Sequence, residues 1–137
     1  MARSIYAGQR VVPLAGSLWQ RADRAWDRGQ LREAERLFRR AAAMGHLPSM
    51  NSLATLLDDD LRRPQEAIFW YKRAVLAGHD IAAWNLAMHY VPLGQKRWYR
   101  YWMKRAAAMG NEDAAVEAAK LAKDPNYMTR FPIENGE

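Results

Sequence analysis

Apolar residues return at three- and four-residue intervals from about residue 15 to residue 122, with short polar turns between the runs. That interval is the period of a helix that buries one face. The runs are also copies of one another. LFRRAAAMGH at 37–46, WYKRAVLAGH at 70–79 and WMKRAAAMGN at 102–111 align without gaps, and their glycines, Gly45, Gly78 and Gly110, stand 33 and 32 residues apart. Leu53, Leu86 and Ala118 follow the glycines by eight residues; Leu57, Tyr90 and Ala122 follow by twelve. Ala34 and Ala67 precede theirs by eleven, where the last copy has Tyr99. Leu18, Ala22 and Trp26, spaced by four, are a fragment of an earlier copy. A period of this length marks stacked helical repeats.

Each unit reads as two helices. The first helices are predicted over 15–27, 48–57, 81–90 and 112–122, the second over 30–44, 64–77 and 95–109. Gly45, Gly78 and Gly110 fall where a positive φ would end the second helix. Pro48 and Pro64 suit first turns, which need no amide donor, and Asp80 is an N-cap candidate. The fold class is therefore all-α, a right-handed superhelix of about seven antiparallel helices. Repeat units are expected at about 15–45, 46–78 and 79–110, with a capping helix at 111–122. Residues 1–14 are expected as an N-terminal strap and 123–137 as an acidic tail.

The columns assign the interior. Large apolar residues eight before the glycine (Leu37, Trp70, Trp102) share a helix face with small ones four before it (Ala41, Ala74, Ala106), and Phe38, Tyr71 and Met103 widen the stripe. Most of the crowded stretch RWYRYWMKR at 97–105 is thus the third copy of a core template. Trp98, Tyr99 and Tyr101 go beyond the template and keep functional weight. Each copy also carries a basic pair, Arg39–Arg40, Lys72–Arg73 and Lys104–Arg105. Cations there complement the negative end of the helix dipole. Stacking would also line them up as a basic stripe.

Composition narrows the class. The 137 residues are half hydrophobic, enough for a real core. No cysteine is present, so disulfides and thiol chemistry are excluded. The net charge of +6 is uneven: residues 1–40 carry +5, 41–110 carry +4 and 111–137 carry −3. A basic body of this kind fits an acidic partner surface. No apolar run approaches a membrane span, and the first twenty residues make a poor signal peptide because Arg10 and Pro13 interrupt them. A cytoplasmic location is expected.

Candidate chemistry is sparse. His46 and His79 share one turn column and His89 stands apart, without the convergent ligands zinc needs. Asp58, Asp59 and Asp60 lack the spacing of a calcium loop. Ser4, Ser17, Ser49 and Ser52 sit in no nucleophile motif, and there is no glycine-rich phosphate loop. No catalytic residue, metal site or cofactor is assigned, and the chain reads as non-enzymatic.

The clearest copy runs AIFWYKRAVLAG at 67–78 and continues AAWNLAMHY at 82–90. It resembles the Sel1-like repeat family, relatives of tetratricopeptide repeats, over roughly residues 15–122. Two features depart from that pattern. The inter-helix loops shorten to DDDLRRP at 58–64 and VPLGQK at 91–96, and ADRAWDRGQLREAERLF at 22–38 is as similar to a tetratricopeptide repeat. The resemblance implies a protein-binding scaffold whose first helices line a concave groove. Groove positions are then Gln20, Arg24, Asn51, Thr55, Trp84, Met88, Val116 and Lys120. It further implies an adaptor, or a bacterial immunity or inhibitor protein that caps a toxin or enzyme. The alternative is a helical repeat that binds nucleic acid through the basic stripe and exposed aromatics.

Overall fold

A computed structural model of the chain describes the backbone of residues 2–124 and Tyr127, with side chains from Leu14 onward in that span. It is an all-α helical repeat of seven helices, with no strand among the described residues. The helices are α1 (Ala2–Asp27), α2 (Leu31–Ala43), α3 (Leu47–Asp59), α4 (Pro64–Leu76), α5 (Asp80–His89), α6 (Lys96–Ala108) and α7 (Glu112–Lys123). Contacts divide the chain into two compact units, Met1–Trp70 and Tyr71–Glu137, with the boundary inside α4. In the first unit α1 packs on α2 and α2 on α3; in the second, α5 packs on α6 and α6 on α7. Helix is continuous from Ala2, so α1 occupies the stretch expected as a strap. Of the expected tail, all but Lys123, Asp124 and Tyr127 lies outside the described residues.

The turns follow one rule. Gly45, Gly78 and Gly110 have φ of 84°, 100° and 97°, as their column predicts. Gly29 (74°), Arg62 (56°) and Gly94 (66°) complete the series. The six left-handed residues therefore recur every 16 or 17 positions, half the sequence repeat. At Gly45 the His46 amide donates to the Ala41 carbonyl (3.3 Å) and the Gly45 amide to Ala42 (2.9 Å). This double return satisfies carbonyls that the helix end would leave bare. The same pair of bonds closes at Gly29, Gly78, Gly94 and Gly110. At Arg62 the chain makes a wider return, from the Arg63 amide to the Leu57 carbonyl at 2.8 Å.

Helix starts differ from expectation in one place. Asp80 is not the N-cap of α5: His79 holds that position in extended backbone. Asp80 sits in the first turn, where its carboxylate meets the positive end of the helix and accepts a bond from Asn111 Nδ2 at 2.9 Å. Asn111 itself caps α7, its Oδ1 accepting the Ala114 amide at 2.8 Å. One amide side chain thus ties the start of α7 to the start of α5. Pro64 opens α4 and Pro48 lies in the first turn of α3, as expected.

The core columns hold with three corrections. Ala41, Ala74 and Ala106 are fully buried, as are Phe38 and Met103, and Tyr71 nearly so. Leu37 and Trp102 are buried, but Trp70 is only half-buried and its ring stacks on Phe69 at 5.3 Å. Ala67, Tyr71 and Ala74 form the inward stripe of α4, at i, i+4 and i+7, which leaves Trp70 on its flank. Tyr99, credited above with functional weight, is buried in the column that Ala34 and Ala67 fill elsewhere. Finally, α7 buries Ala114 and Leu121, while Ala118 and Ala122 lie nearer the surface.

Two stability outcomes are expected. An added Cβ at Gly78 would meet nothing within 4 Å, so Gly78→Val should destabilise through its backbone angle alone, by well over the ~0.5 kcal/mol of an ordinary surface change. Gly16→Ala, in equally open space but inside α1, should stabilise by about 0.5–1 kcal/mol. The second outcome concerns Arg62, which pays a left-handed cost of roughly 1–2 kcal/mol. Arg62→Gly should therefore raise the denaturation midpoint even after the added unfolded-state entropy. Urea titrations of the three variants check both; a neutral Gly78→Val would remove the turn rule.

Candidate interaction surfaces

In the first unit, indole groups join helices one repeat apart. Trp19 Nε1 donates to Ser52 Oγ at 3.1 Å, and its ring lies 5.7 Å from that of His46. Trp26 Nε1 donates to the Asp60 carboxylate and packs edge-on against Phe38. Both contacts place α1 beside α3. Of the predicted groove residues here, Gln20 and Arg24 are exposed on α1, whereas Asn51 and Thr55 are half-buried on α3. The Thr55 hydroxyl donates to the Asn51 carbonyl of its own helix at 3.0 Å. Trp19 and Trp26, which hold the two helices together, were not singled out as contacts; their 33- and 34-residue separations from Ser52 and Asp60 are one repeat long.

The basic columns divide. Arg39 is engaged by acids: it bonds Glu35 at 2.7 Å and also bonds Glu66, while Arg63 bonds Glu35 at 3.0 Å. Burial pushes the Glu35 carboxyl up, but the bonds and charges of Arg39 and Arg63 outweigh it and hold the group below its ordinary value. Arg39 therefore staples α2 to α4 and does not belong to an open stripe. Arg40 is exposed in the first unit, and Lys72, Arg73, Lys104 and Arg105 are exposed in the second. The Lys72 ammonium lies 6.0 Å from the ring centre of Trp102.

The second unit carries two unusual helix faces. On α5, Ala82, Ala83, Leu86 and Ala87 are buried. The opposite side holds Ile81 (48% exposed), half-buried Trp84 and Met88 (40% exposed), at i, i+3 and i+7. Asp80 is the only acid or cation of the Asp/Glu/Lys/Arg type in this helix. On α7, Val116 is 55% exposed, and Lys120, also exposed, pairs with Glu117 at 3.3 Å. Ile81 was missed by the column reading, though its place three residues before Trp84 puts it on the same stripe.

The other face is on α6. Trp98 (40% exposed) meets Tyr101 (47% exposed) edge-to-face at 5.9 Å, and Tyr101 meets Trp102 at 5.0 Å. Arg97 lies over the Trp98 ring at 5.4 Å. The buried Trp102 Nε1–H finds no acceptor among the described residues. On the inner side, Tyr99 donates to Glu117 at 3.1 Å, and Tyr127 donates to the same carboxylate at 2.9 Å. Burial and the neighbouring Glu117 charge push the Tyr99 hydroxyl pKa far up.

The described residues hold no group of three or more His, Cys, Asp or Glu side chains placed for a metal. His46 Nδ1 lies 2.7 Å from Ser49 Oγ, but Ser49 is wholly buried and burial lowers the His46 pKa. A depression of about 730 Å³ beside the α1–α2 turn, lined by Gly29–Glu33 and Leu61, is wide open to solvent. The chain matches no family model, and no curated protein or solved structure is significantly similar to it.

The Glu117 cluster yields a pH test. Burial raises this carboxyl, but the bonds from Tyr127, Lys120 and Tyr99 outweigh it, so the folded group titrates below its ordinary 4.5. A depressed carboxylate contributes stability that is complete above its unfolded value and is lost as pH falls through the folded one. Between about pH 6 and about pH 3 the wild-type melting temperature should drop more steeply than that of Glu117→Gln. Parallel curves would mean that the cluster contributes no pH-dependent stability.

Proposed function

We propose that this protein is a non-enzymatic protein–protein interaction module of the Sel1-like type. Its repeat period, its basic, alanine and glycine columns and its paired helices support that assignment. The observation that carries the reading is α5, whose buried side of Ala82, Ala83, Leu86 and Ala87 is opposed by a second apolar side of Ile81, Trp84 and Met88 that is left half-buried or exposed. A helix apolar all round is ordinarily buried. Ile81, Trp84 and Met88 therefore read as an anchor for a partner protein, extended by Val116 on α7. Tryptophan supplies the large contact area typical of binding hot spots, and methionine adapts to irregular surfaces.

The finer reading is an adaptor or an immunity-type inhibitor that caps another protein, with the net charge of +6 favouring an acidic partner. No helix among the described residues is long and apolar enough to cross a membrane, and we place the protein in the cytoplasm as part of this proposal.

Affinity capture followed by titration tests it. A partner captured by the wild-type chain should bind Trp84→Ala/Met88→Ala at least thirtyfold more weakly, from an anchor worth ~2 kcal/mol. Circular dichroism should remain unchanged. Replacing Lys72, Arg73, Lys104 and Arg105 by Gln should instead slow association and flatten its salt dependence. Unchanged affinity in the α5 variant, with binding abolished in the charge variant, would remove α5 as the site.

A further inference from the structure

We propose that the outward face of α6 is a second binding surface, separate from α5, and that it is built for single-stranded nucleic acid. The repeat supplies its own control. Helices α2 and α6 are each 13 residues long and begin after a glutamine of nearly identical backbone geometry, Gln30 and Gln95. Counted back from Gly45 and Gly110, Glu33 corresponds to Trp98, Glu35 to Arg100, Arg36 to Tyr101 and Arg39 to Lys104. In α2 these four residues neutralise one another, through Glu33–Arg36 and Glu35–Arg39, both at 2.7 Å. In α6 the first pair has become two exposed rings. The second has become two cations one turn apart, a repulsive arrangement. The helix fold does not require this exchange, since α2 does without it.

What replaces the ion pairs is ordered. Arg97, Arg100 and Lys104 lie at i, i+3 and i+7, a line of cations rising ~10 Å along the helix. Trp98, Tyr101 and Arg105 form the adjoining line. No acid occurs in α6, and none of these four cations beside the rings (Arg97, Arg100, Lys104, Arg105) has an acidic partner among the described residues. A charge row beside a ring row fits a polymer carrying one anion and one flat apolar group per unit. Single-stranded nucleic acid has that constitution, with phosphates for the cations and bases for the rings. An acidic peptide offers the charge without a flat group in each unit. The edge-to-face setting of Trp98 and Tyr101, at 79°, suits two splayed bases and not the wall of a duplex.

Fluorescence anisotropy with 15-nucleotide oligouridylate and oligothymidylate, a duplex of equal length and polyglutamate tests the proposal on the full chain. A single strand should bind at low salt and more tightly than the duplex or polyglutamate. Trp98→Ala/Tyr101→Ala should weaken that binding at least about tenfold without changing its salt slope. Arg100→Gln/Lys104→Gln should flatten the log–log slope by roughly 1.4. Trp98→Glu/Arg100→Glu/Tyr101→Arg restores the residues that α2 already tolerates, so it should fold normally and lose binding. The proposal is overturned if neither single strand binds at low salt, if duplex or polyglutamate binds as tightly, or if the ring variant binds like wild type.

Discussion

Everything in this fold depends on where the backbone is forced into the left-handed region. From Gly29 to Gly110 a left-handed residue closes a turn every 16 or 17 positions, and the carbonyls freed there are recaptured at once. Four of the helices are consequently 13 residues long. Helix α5 is shorter, at 10 residues, but the turn after it reaches Gly94 before closing, so the period survives. Because these run lengths match, equivalent residues take the same place along successive second helices. The fully buried alanines Ala41, Ala74 and Ala106 can then recur at the same place in every second helix.

Polar contacts between successive copies reinforce that regularity. Trp19 to Ser52, Trp26 to Asp60 and Asn111 to Asp80 each join residues about one repeat apart, and each lies within a single compact unit. Their chemistry differs from copy to copy, which explains why no shared motif marks them. The α2–α4 network of Glu35, Arg39, Arg63 and Glu66 does similar work with charges.

Helix number, the glycine turns and the helix limits other than the start of α1 were legible because they follow from local rules: period, propensity and the need for positive φ. The errors share a different cause. A sequence column sets the angle of a side chain about its helix axis, but not how far the neighbouring helix reaches around to cover it. Trp70 and Trp102 share a column, yet only Trp102 is buried. Arg39 looked like its column mates, but besides Glu35 one turn away it is engaged by Glu66, which is 27 residues distant and arrives only on folding. Tyr99 was read as surplus to the template because Ala occupies its column elsewhere; a buried ring is accommodated there, with Glu117 taking its hydroxyl. Of the residues expected in a groove, Trp84, Met88 and Val116 stand half-buried or exposed on their helices, and Ile81, on the same stripe of α5, escaped the column count because the register was taken from the core columns and not along the outer stripe.

The half-repeat has a consequence for how such a chain lengthens. Successive left-handed residues alternate between ending a first helix and ending a second one, and only every second helix carries the alanine column. Inserting a single helix with its turn would hand every later helix the wrong role, pointing small inward residues outward for the rest of the chain. Inserting two restores the alternation. Viable lengths are therefore quantised in steps of one full period, the 33 or 32 residues between Gly45, Gly78 and Gly110. Within a step, outer positions are free to diverge, which is how one copy ends in self-cancelling charges and another in bare rings and cations.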